Sequence, residues 1–542
     1  MRRKQALPRI CVAATGRTTG ELMECARRAL EQSRFVELRL DWVANPADAI
    51  AAIPKLLADA AHATGARKPI LQATCRRRSN GGRFTGNVSR QFELLHIAAA
   101  AGCAVADLEI ESAERAGPEA VASLREAARL ILSFHDFNST PPLAPVARRL
   151  RRYAADYYKI VPTATRQSDN CAVLEFLASV DKDGSEAEKW IAFAMGEPGV
   201  PSRVLALSRG SAFVYAAPGI TSAADSEAML AAPSQLDWNT LHRQYRAERL
   251  TEHTAIYGLL GNPVRHSVGP AIHNRAFRAR RLDAVYLPLL ATDLSDLRKA
   301  AARYPLAGFS VTIPHKQAIL RFADKIDRWA KAAGAANTVR VSWSSGRGRW
   351  EAINADIDGI RIPLQKAYSL SEGRLLPKGF RAVIVGSGGA ARAAFIALRT
   401  LGCRSPFVAG RSPARTRRFV QELGGEALTL DSLKQGRFDL LIHATPVGMW
   451  PHAEECLLAE QQLCADTVFD LVYNPPETRL LRMARARGCR TISGLEMFIA
   501  QAARQFEFWT GMDAPVIAMR QAALEALERF PAMLEDAAAR RP

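Results

Sequence analysis

The chain has 542 residues, about three to four times the length of a typical domain, which excludes a single small binding module. With 48% hydrophobic and 23% charged residues, its composition is globular and excludes collagenous, low-complexity and disordered proteins. The 73 basic and 54 acidic residues leave a formal net charge of +19. Such a surplus is compatible with a nucleic acid, a phosphorylated cofactor or a carboxylate substrate as anionic partner.

The nine cysteines are scattered and contain no C-x-x-C pair, which argues against a disulfide framework or a zinc ribbon and predicts no metal site. The opening MRRKQALPRICVAAT lacks the apolar run of a signal peptide, and nowhere do about 18 apolar residues follow one another. We therefore expect a protein of the reducing cytoplasm without a membrane partner.

Eight short apolar runs in the first 220 residues predict strands: ICVAAT, FVELRLDW, PILQATCR, AVADLEI, RLILSFHDF, DYYKIVPTA, WIAFAMG and AFVYAA. They recur every 20 to 35 residues or so with helical segments between them, which is typical of a (β/α)₈ TIM barrel. Such barrels carry their reacting groups at the carboxyl ends of the strands. Polar residues that lie on or just after these runs are Glu37, Arg39, Arg76, Asp107, Glu109, His135, Asp136 and Lys159.

A stretch rich in Ala, Ser, Gly and Pro at 218–236, followed by the helical run TLHRQYRAERL, leads to a new strand, AIYGLLG. We place a domain boundary near residue 245. After it the pattern predicts a smaller α/β unit, then a doubly wound sheet that begins at RAVIVGSGGAARAAF, then helices. The predicted α/β domains are a TIM barrel at 1–245, a substrate-binding domain at 246–365, a Rossmann-like nucleotide domain at 366–490, and C-terminal helices at 491–542 that pack back on the substrate domain.

A glycine-rich turn stands between the apolar strand AVIV and an Ala-rich helix. Its residues Gly386, Gly388 and Gly389, followed by Ala390, can direct backbone N–H groups at the helix N-terminus toward a pyrophosphate. The spacing is G-x-G-G-A rather than G-x-G-x-x-G, and the alternative is a tight structural turn. Because a βαβ pattern continues on both sides, we favour a dinucleotide site.

The segment after the next strand, FVAGRSPARTRR, decides which dinucleotide is expected. An NAD site would hold an acid there, whereas an NADP site needs cations for the 2′-phosphate. The segment has no acid; it has Arg411, Arg415, Arg417 and Arg418, and Ser412 can add a hydroxyl donor. We predict NADP(H), the alternative being a solvated basic helix start.

Lys316 ends GFSVTIPHK, and EAINADIDGI supplies Asn354 and Asp356 at another strand end. A Lys–Asp pair beside a nicotinamide can donate the proton that a ketone takes up as hydride arrives. The alternative is a pair of unrelated surface charges.

Eight ordered motifs cover residues 253 to 520: GNPVRHSVGPAIHN, GFSVTIPHK, GAANT, INADIDG, GSGGA, AGRSPAR, HATPVGM and GLEMFIAQA. Over this range the chain resembles the shikimate dehydrogenase family. The resemblance implies NADP-dependent reduction of 3-dehydroshikimate to shikimate, with Lys316 and Asp356 as the catalytic pair. It implies substrate contacts at Ser267, Thr312, Asn337 and Gln501, and nicotinamide contacts at Ala444, Met449 and Gly494.

Three positions depart from that family's pattern: Gly269 replaces the last serine of S-H-S-x-S-P, Ser310 replaces the asparagine of N-V-T, and Ala355 replaces the threonine of N-T-D. Gly269 removes a hydroxyl expected near the substrate carboxylate and opens room at C1, where quinate carries an additional hydroxyl. Use of quinate therefore remains an alternative.

Within the barrel, an inward lysine on a strand and a histidine at the neighbouring strand end fit a Schiff-base nucleophile and its proton shuttle. Lys159 and His135 have these positions. The motifs ELRLDW, TCR with a following GG, DLE, SFHDF, YYKI and MGEPGVPSR resemble the type I 3-dehydroquinate dehydratases over roughly residues 8 to 240. The two halves together resemble the bifunctional dehydratase–dehydrogenase fusion of plants and some bacteria.

The dehydratase resemblance implies that Lys159 forms an imine with the C3 ketone, and that His135 removes the C2 proton and protonates the departing C1 hydroxyl. Arg203, expected in the loop after strand seven, should bind the carboxylate. The residues expected to hold ring hydroxyls, the lysine's surroundings or a lid are Glu37, Arg39, Arg76 and Gln235.

Two departures affect the barrel. Asn80 stands where the family places a glutamate before GG, and the lid motif S-A-P-G-Q reads Ala231 to Gln235, with AAPGIT at 216–221 as a competing match. A decayed, scaffold-only barrel is therefore an alternative to an active one. We expect small-molecule partners, namely 3-dehydroquinate, 3-dehydroshikimate and shikimate, in a monomer or homodimer. No motif of alternating aromatic and basic residues supports nucleic acid binding.

Overall fold

The structure is a computed structural model that describes residues 7–64, 68–182, 189–219, 235–264, 267–371 and 373–538. The chain forms two compact units. The first comprises Met1–Thr254, Leu287–Tyr304 and Pro531–Pro542, and the second comprises Ala255–Tyr286 and Pro305–Phe530. Within the described ranges, none of the helices combines the length and apolar character needed to cross a bilayer.

The predicted barrel is confirmed, and each of its strands lies inside one of the eight apolar runs. The strands are β1 Ile10–Ala14, β2 Phe35–Arg39, β3 Ile70–Thr74, β4 Val105–Glu109, β5 Arg129–His135, β6 Tyr157–Val161, β7 Trp190–Ala192 and β8 Val214–Ala216. Neighbours pair in parallel in the order β7-β6-β5-β4-β3-β2-β1-β8. The amide of Ala212, just before β8, donates to the carbonyl of Trp190 on β7 at 2.8 Å, so the barrel is nearly closed.

Helices follow the strands. They are α1 Thr19–Gln32, α2 Pro46–Ala51, α3 Ile53–Thr64, α4 Val88–Ala100, α5 Ile110–Ala116, α6 Pro118–Ala127, α7 Leu143–Leu150, α8 Gln167–Lys182 and α9 Val200–Leu205. Polar side chains cap the starts of α1, α2 and α4. The side chain of Thr18 accepts from the amide of Glu21, and that of Asn87 accepts from the amide of Arg90. These bonds satisfy amides that a helix start leaves without a partner.

Two expectations about this unit were wrong. Arg203, expected in a loop, lies in the short helix α9, because Pro201 is tolerated in the first turn of a helix and does not interrupt it. The run TLHRQYRAERL does not form one helix. It forms a short π-helix at Asn239–Gln244 and a 3₁₀ turn at Ala247–Arg249. Between them, Arg246 has a left-handed backbone conformation, with φ 54°.

The region predicted as the substrate-binding domain, 246–365, has one mixed sheet. Its strands are β9 Ala255–Gly261, β10 Ala284–Leu290, β11 Leu306–Val311, β12 Lys325–Ile326, β13 Thr338–Ser344 and β14 Arg347–Ile353, in the order β10-β9-β11-β13-β14-β12. Its helices are α10 Gly269–Ala279, α11 Leu294–Arg303 and α12 Arg328–Ala333. β11 runs parallel to β9 and antiparallel to β13, and β12, with only two residues, had no sequence signal.

The nucleotide domain has an all-parallel sheet in the strand order of a dinucleotide-binding fold. The strands are β15 Ala382–Val385, β16 Phe407–Ala409, β17 Glu426–Leu428, β18 Phe438–His443, β19 Ala465–Asp470 and β20 Arg490–Ile492, in the order β17-β16-β15-β18-β19-β20. The order reverses between β15 and β18, and the crevice outside the strand ends at this point is where such sheets bind ligands. β17 and β20, three residues each, were not predicted.

The remaining helices surround this sheet and connect it to the smaller one. They are α13 Ala355–Ala367, α14 Gly389–Thr400, α15 Pro413–Leu423, α16 Arg479–Ala486, α17 Gly494–Thr510 and α18 Val516–Ala538. A Cβ on Gly359 of α13 would lie 2.9 Å from the carbonyl of Met497, so this glycine allows α13 and α17 to pack closely. Trp509 near the end of α17 donates from its indole to the carbonyl of Val339 on β13 at 2.9 Å.

The first unit also contains α11, which packs on α8 of the barrel. Gln167 at the start of α8 donates from its amide to the carbonyl of Leu290 at 2.7 Å, and it accepts from the hydroxyl of Tyr304 at 2.9 Å. Arg303 pairs with Glu175 on the surface of the same contact. The buried amide of Gln167 is thereby satisfied by the segment Leu287–Tyr304.

Replacing Tyr304 with Phe should lower the free energy of unfolding by about 1 to 2 kcal/mol, because it removes a buried hydrogen bond and leaves the Gln167 oxygen poorly satisfied. Tyr368→Phe is the matched control, since its half-buried hydroxyl donates to the carbonyl of Asp439 where water can replace it. Thermal denaturation of the full chain measures both variants. Equal melting temperatures for Tyr304→Phe and the unsubstituted protein would contradict the expectation.

Candidate active sites

Asp107 on β4 is the centre of a buried charge cluster inside the barrel. Its Oδ2 accepts from Lys159 Nζ at 2.9 Å, and its Oδ1 accepts from Arg76 at 3.0 Å and from Ser133 at 2.7 Å. Ser133 on β5 stands opposite Lys159 on β6 in the strand register, so both side chains point inward from neighbouring strands. One carboxylate therefore holds together the two cations predicted for this site.

His135, two residues after Ser133 on the same face of β5, joins the cluster through Arg76. The guanidinium lies 2.9 Å from His135 Nδ1, and because a guanidinium only donates, Nδ1 is the acceptor and the ring proton is on Nε2. Burial, reinforced by the charges of Arg76 and Lys159, lowers the pKa of His135 well below its ordinary value. Burial raises the pKa of Asp107, but Lys159 and Arg76 more than compensate and hold it well below the ordinary value. At neutral pH the cluster thus contains an ionised carboxylate, Asp107, and an uncharged imidazole, His135, and Arg76 links the two.

Glu37 lies on β2, two strands from Asp107 on β4, and takes part in a layer of hydrogen-bonded side chains. Its Oε1 accepts from Thr74 at 2.6 Å and from Gln72 at 3.1 Å. Tyr215 on β8 donates to Gln72 at 3.1 Å, and its ring centroid lies 4.0 Å from Lys159 Nζ. Glu37 therefore reaches the surroundings of the lysine through Gln72 and Tyr215, consistent with the environment role expected for it.

Arg39 makes two hydrogen bonds to Asp41, at 2.9 and 2.8 Å, a geometry that fixes the guanidinium plane. Arg203 is buried with its guanidinium carbon 4.9 Å from the Phe193 ring centroid, and burial lowers the pKa of Arg203 to about 10. A substrate carboxylate would stabilise a charge in that position. Gln235 is buried, and the rest of the predicted lid motif, Ala231 included, lies outside the described residues.

Asn80, the departure before the GG pair, has a carboxylate partner. Its amide donates to Glu111 Oε2 at 2.8 Å, while Arg149 pairs with the other oxygen of Glu111 at 3.1 Å. The neighbouring Gly81 has φ 75° and lies against the ring of Phe137. A glutamate at position 80 would place a second carboxylate against Glu111 and repel it, whereas the amide of Asn80 donates a hydrogen bond to it.

The second candidate site is the pair formed by Lys316 and Asp356. Lys316 Nζ donates to Asp356 Oδ2 at 2.6 Å, and Asn337 donates to Asp356 Oδ1 at 2.8 Å. Asn337 also lies 3.3 Å from Gln501 Oε1 on α17, and Asn354 caps α13 by accepting from the amide of Asp356. Four predicted site residues that are up to 185 positions apart in the sequence are thus brought together in one network.

Thr312 and Ser267 lie after two neighbouring central strands of the smaller sheet, β11 and β9. Thr312 directly follows β11, and its amide donates to the carbonyl of Leu260 on β9 at 2.8 Å. Ser267 accepts from the amide of Gly269 at 3.1 Å and shares a hydrogen bond with Tyr473, whose pKa burial raises to about 12. Tyr473, just after β19, was not identified from the sequence.

The glycine-rich turn lies beside the second lysine. Gly386 has φ 132°, and a Cβ there would lie 2.7 Å from the carbonyl oxygen of Ala444, whereas a Cβ on Gly388 would meet nothing within 4 Å. Gly389 begins α14, and its Cβ position is 3.7 Å from Lys316 Cδ. Ala390 is the second residue of the helix. The open helix N-terminus fits a pyrophosphate, and it borders the predicted proton donor.

The basic segment follows β16 as predicted. Ser412 caps α15 and accepts from the amide of Arg415 at 3.4 Å. Arg411 and Arg415 are exposed, and within the described part of the chain neither forms an ion pair, whereas Arg418 is bound to Glu422 at 2.8 Å. The guanidinium groups of Arg411 and Arg415 could therefore bind a 2′-phosphate at the end of β16.

The residues predicted on the nicotinamide side lie at the carboxyl ends of β18 and β20. Ala444 follows β18 and donates to the carbonyl of Val385 at 2.8 Å, and Met449 is 43% exposed in the same loop. Gly494 begins α17, where a Cβ would lie 2.3 Å from the carbonyl oxygen of Val472. The switch point, the open glycine turn and the exposed arginines together fit a phosphorylated dinucleotide. Among the described residues no cluster of three or more His, Cys, Asp or Glu could hold a metal ion.

Replacing Asp107 with Asn should destabilise the protein by about 3 to 5 kcal/mol, because two buried cations would lose their compensating charge. Glu114→Gln is the matched control, since this carboxylate pairs with Arg149 at the surface and its loss should cost about 0 to 1 kcal/mol. Chemical denaturation of both variants measures the difference. A loss for Asp107→Asn no larger than that of the control would contradict the central role of Asp107.

Models of three protein families match the chain. Residues 10–252 match the type I 3-dehydroquinase, residues 259–339 the shikimate dehydrogenase substrate binding domain, and residues 494–524 the shikimate 5′-dehydrogenase C-terminal domain. A shikimate dehydrogenase (NADP(+)) of Methanopyrus kandleri is 41% identical over 291 residues, which cover 51% of this chain and 96% of that protein. The shikimate 5-dehydrogenase structure of Thermus thermophilus in complex with NADP(H) and shikimate is 32% identical, with a TM-score of 0.44, and covers 50% of this chain and 99% of that chain.

One relative spans both halves. The chloroplastic bifunctional 3-dehydroquinate dehydratase/shikimate dehydrogenase of Arabidopsis thaliana is 31% identical over 497 residues, which cover 89% of this chain and 78% of that protein. Both resemblances seen in the sequence motifs are thereby confirmed. The chain belongs to the family of bifunctional 3-dehydroquinate dehydratase/shikimate dehydrogenases.

Proposed function

We propose that the barrel dehydrates 3-dehydroquinate to 3-dehydroshikimate and that the second half reduces this product to shikimate with NADPH. The observation that carries the proposal is that each half holds its own lysine–aspartate pair, Lys159 with Asp107 at 2.9 Å in the buried barrel interior and the partly exposed Lys316 with Asp356 at 2.6 Å. The first lies among cationic neighbours in a barrel, and the second borders a dinucleotide turn. Two different lysine chemistries are therefore supported in one chain.

In the barrel, Lys159 first releases its ammonium proton to solvent; its neutral Nζ then attacks the C3 ketone, and the carbinolamine loses water to form an imine, whose nitrogen takes up a proton again. Electron withdrawal by the imine acidifies C2–H, and His135 removes that proton and returns it to the C1 hydroxyl, which leaves as water. Water then hydrolyses the imine and frees the lysine. Because Nδ1 of His135 accepts from Arg76 in the structure, that bond must be exchanged for one to substrate before Nδ1 can take a proton. Arg203 binds the substrate carboxylate.

In the second half, the bound NADPH supplies a hydride to the ketone carbon. Lys316 donates a proton to the ketone oxygen, and Asp356 holds the ammonium in place. Asn337 fixes Asp356 from its other oxygen, so the lysine has one preferred orientation. Arg411 and Arg415 bind the 2′-phosphate. Gly386, Gly388 and Gly389 let the backbone approach the pyrophosphate.

Small molecules are the proposed partners of both sites. All nine cysteines are free, which supports a reducing compartment. The proposed domain boundaries are those of the sequence interpretation, a barrel at 1–245 followed by the dehydrogenase at 246–542.

A second candidate function, quinate oxidation, is supported by Gly269 alone. A Cβ at this position would lie 3.1 Å from Ser267 Oγ and 3.7 Å from the Tyr286 ring.

Replacing each lysine separately tests the division of labour. Lys159→Ala should abolish trapping of the 3-dehydroquinate imine by borohydride and lower the dehydration rate by at least about 10³-fold, because Lys159 is the primary amine of the charge cluster described around Asp107. It should leave NADPH oxidation with 3-dehydroshikimate intact. Lys316→Ala is the matched control and should give the reverse pattern. Imine trapping that survives in Lys159→Ala would refute the assigned nucleophile.

Product analysis of the unsubstituted protein with 3-dehydroquinate and NADPH separates the two candidate functions. Shikimate as the product requires both halves to act in sequence, whereas quinate would mean direct reduction and an inactive barrel.

Replacing Arg411 and Arg415 together with Ala should raise the KM for NADPH by about 100-fold or more, because two charged hydrogen bonds to a phosphate are lost and each contributes about 1.5 to 3 kcal/mol. The KM for NADH should change by less than about twofold, since NADH lacks the 2′-phosphate. Steady-state reduction of 3-dehydroshikimate with both cofactors measures this. Arg418→Ala, which removes an arginine already paired with Glu422, serves as the control.

A further inference from the structure

A buried chain of hydrogen bonds joins the carboxyl ends of β18 and β19 in the nucleotide domain. His443 Nδ1 lies 2.8 Å from Asp470 Oδ1, and His443 Nε2 lies 2.5 Å from Thr445 Oγ1. The side chains of His443 and Asp470 are 2% and 0% exposed. None of the three residues belongs to the sites described above.

The partners of Asp470 determine which way the hydrogen bonds run. Its carboxylate also accepts from the amide of Val472 at 3.0 Å and from the hydroxyl of Thr478 at 2.6 Å, so it acts only as an acceptor. His443 Nδ1 must then carry the proton, which leaves Nε2 to accept from the hydroxyl of Thr445 in that tautomer. In this arrangement every donor in the chain meets an acceptor.

Thr445 is at the same time in contact with the glycine-rich turn. Its Cγ2 lies 3.2 Å from the position of a Cβ on Gly386, and its Oγ1 accepts from the amide of Val447 at 3.3 Å. The loop that starts at Thr445 carries Met449, and Ala444 directly precedes it. The imidazole thus holds the first residue of the loop that faces the predicted nicotinamide side.

We propose that His443 and Asp470 are positioning residues that fix Thr445 and its loop against the glycine-rich turn, and so set the affinity of the second half for NADPH. The inference rests on the proposed dehydrogenase function. Asp470 orients the imidazole, the imidazole orients the Thr445 hydroxyl, and that hydroxyl orders the amide of Val447. The loop therefore has its bound shape before the cofactor arrives, which lowers the entropy lost on binding.

Thr445→Val tests the proposal with a side chain of the same shape that lacks the hydroxyl. We expect the Kd for NADPH, measured by titration of tryptophan fluorescence, to rise about five- to tenfold. The KM for NADPH should rise in parallel, the KM for 3-dehydroshikimate should stay as in the unsubstituted protein, and the melting temperature should fall no further than in the matched control Thr467→Val. Thr445→Ser keeps the hydroxyl and should restore the affinity.

Thr467→Val is the matched control, because it removes a buried hydroxyl from β19 of the same sheet at a position outside the chain of hydrogen bonds. The double variant His443→Leu/Thr445→Val should bind NADPH no more weakly than the weaker of the two single variants, since both act through one hydrogen bond. An unchanged Kd in Thr445→Val, or an equal rise in Thr467→Val, would overturn the inference. Failure of the unsubstituted protein to oxidise NADPH with 3-dehydroshikimate would instead overturn the proposed function.

Discussion

A carboxylate buried among donors is stable only if it accepts hydrogen bonds on both of its oxygens, and this constraint organises both lysine sites of the described chain. Asp107 accepts from Lys159, Arg76 and Ser133, and Asp356 accepts from Lys316 and Asn337. In each case the carboxylate fixes where a lysine ammonium can be. The lysine side chain is thereby held in one position by its carboxylate partner.

Parallel strands deliver these groups to the same place. In the barrel, neighbouring strands carry Asp107, Ser133 and Lys159 inward, and in the nucleotide sheet the ends of β15, β18 and β19 bring together the glycine turn, Thr445 and Asp470. The backbone position at a strand end is well defined, because the preceding residues are hydrogen-bonded to strands on both sides. Short loops after such strands can therefore place side chains accurately.

Strand positions were predictable from the sequence because apolar runs between helical segments are a strong local signal. Lys159, His135, Lys316 and Asp356 followed from those runs and from motif resemblance. The role of Asp107 did not, since Asp107 and Glu109 share one strand face and only the tertiary fold decides that Asp107 meets the lysine. The strands β17 and β20 are too short to carry a pattern, and the glycines and prolines just before Arg203 give its short helix the composition of a loop.

Gly389 has a consequence for cofactor engineering. Its Cβ position lies 3.7 Å from Lys316 Cδ, so a methyl would fit there, whereas a longer side chain directed toward the lysine would meet it. A nucleotide-binding turn grafted from another dehydrogenase with a bulkier residue at this position would change the surroundings of Lys316 as well as the cofactor site. Redesign for a different dinucleotide is therefore better directed at the segment after β16, where substitutions at Arg411 and Arg415 leave the lysine untouched.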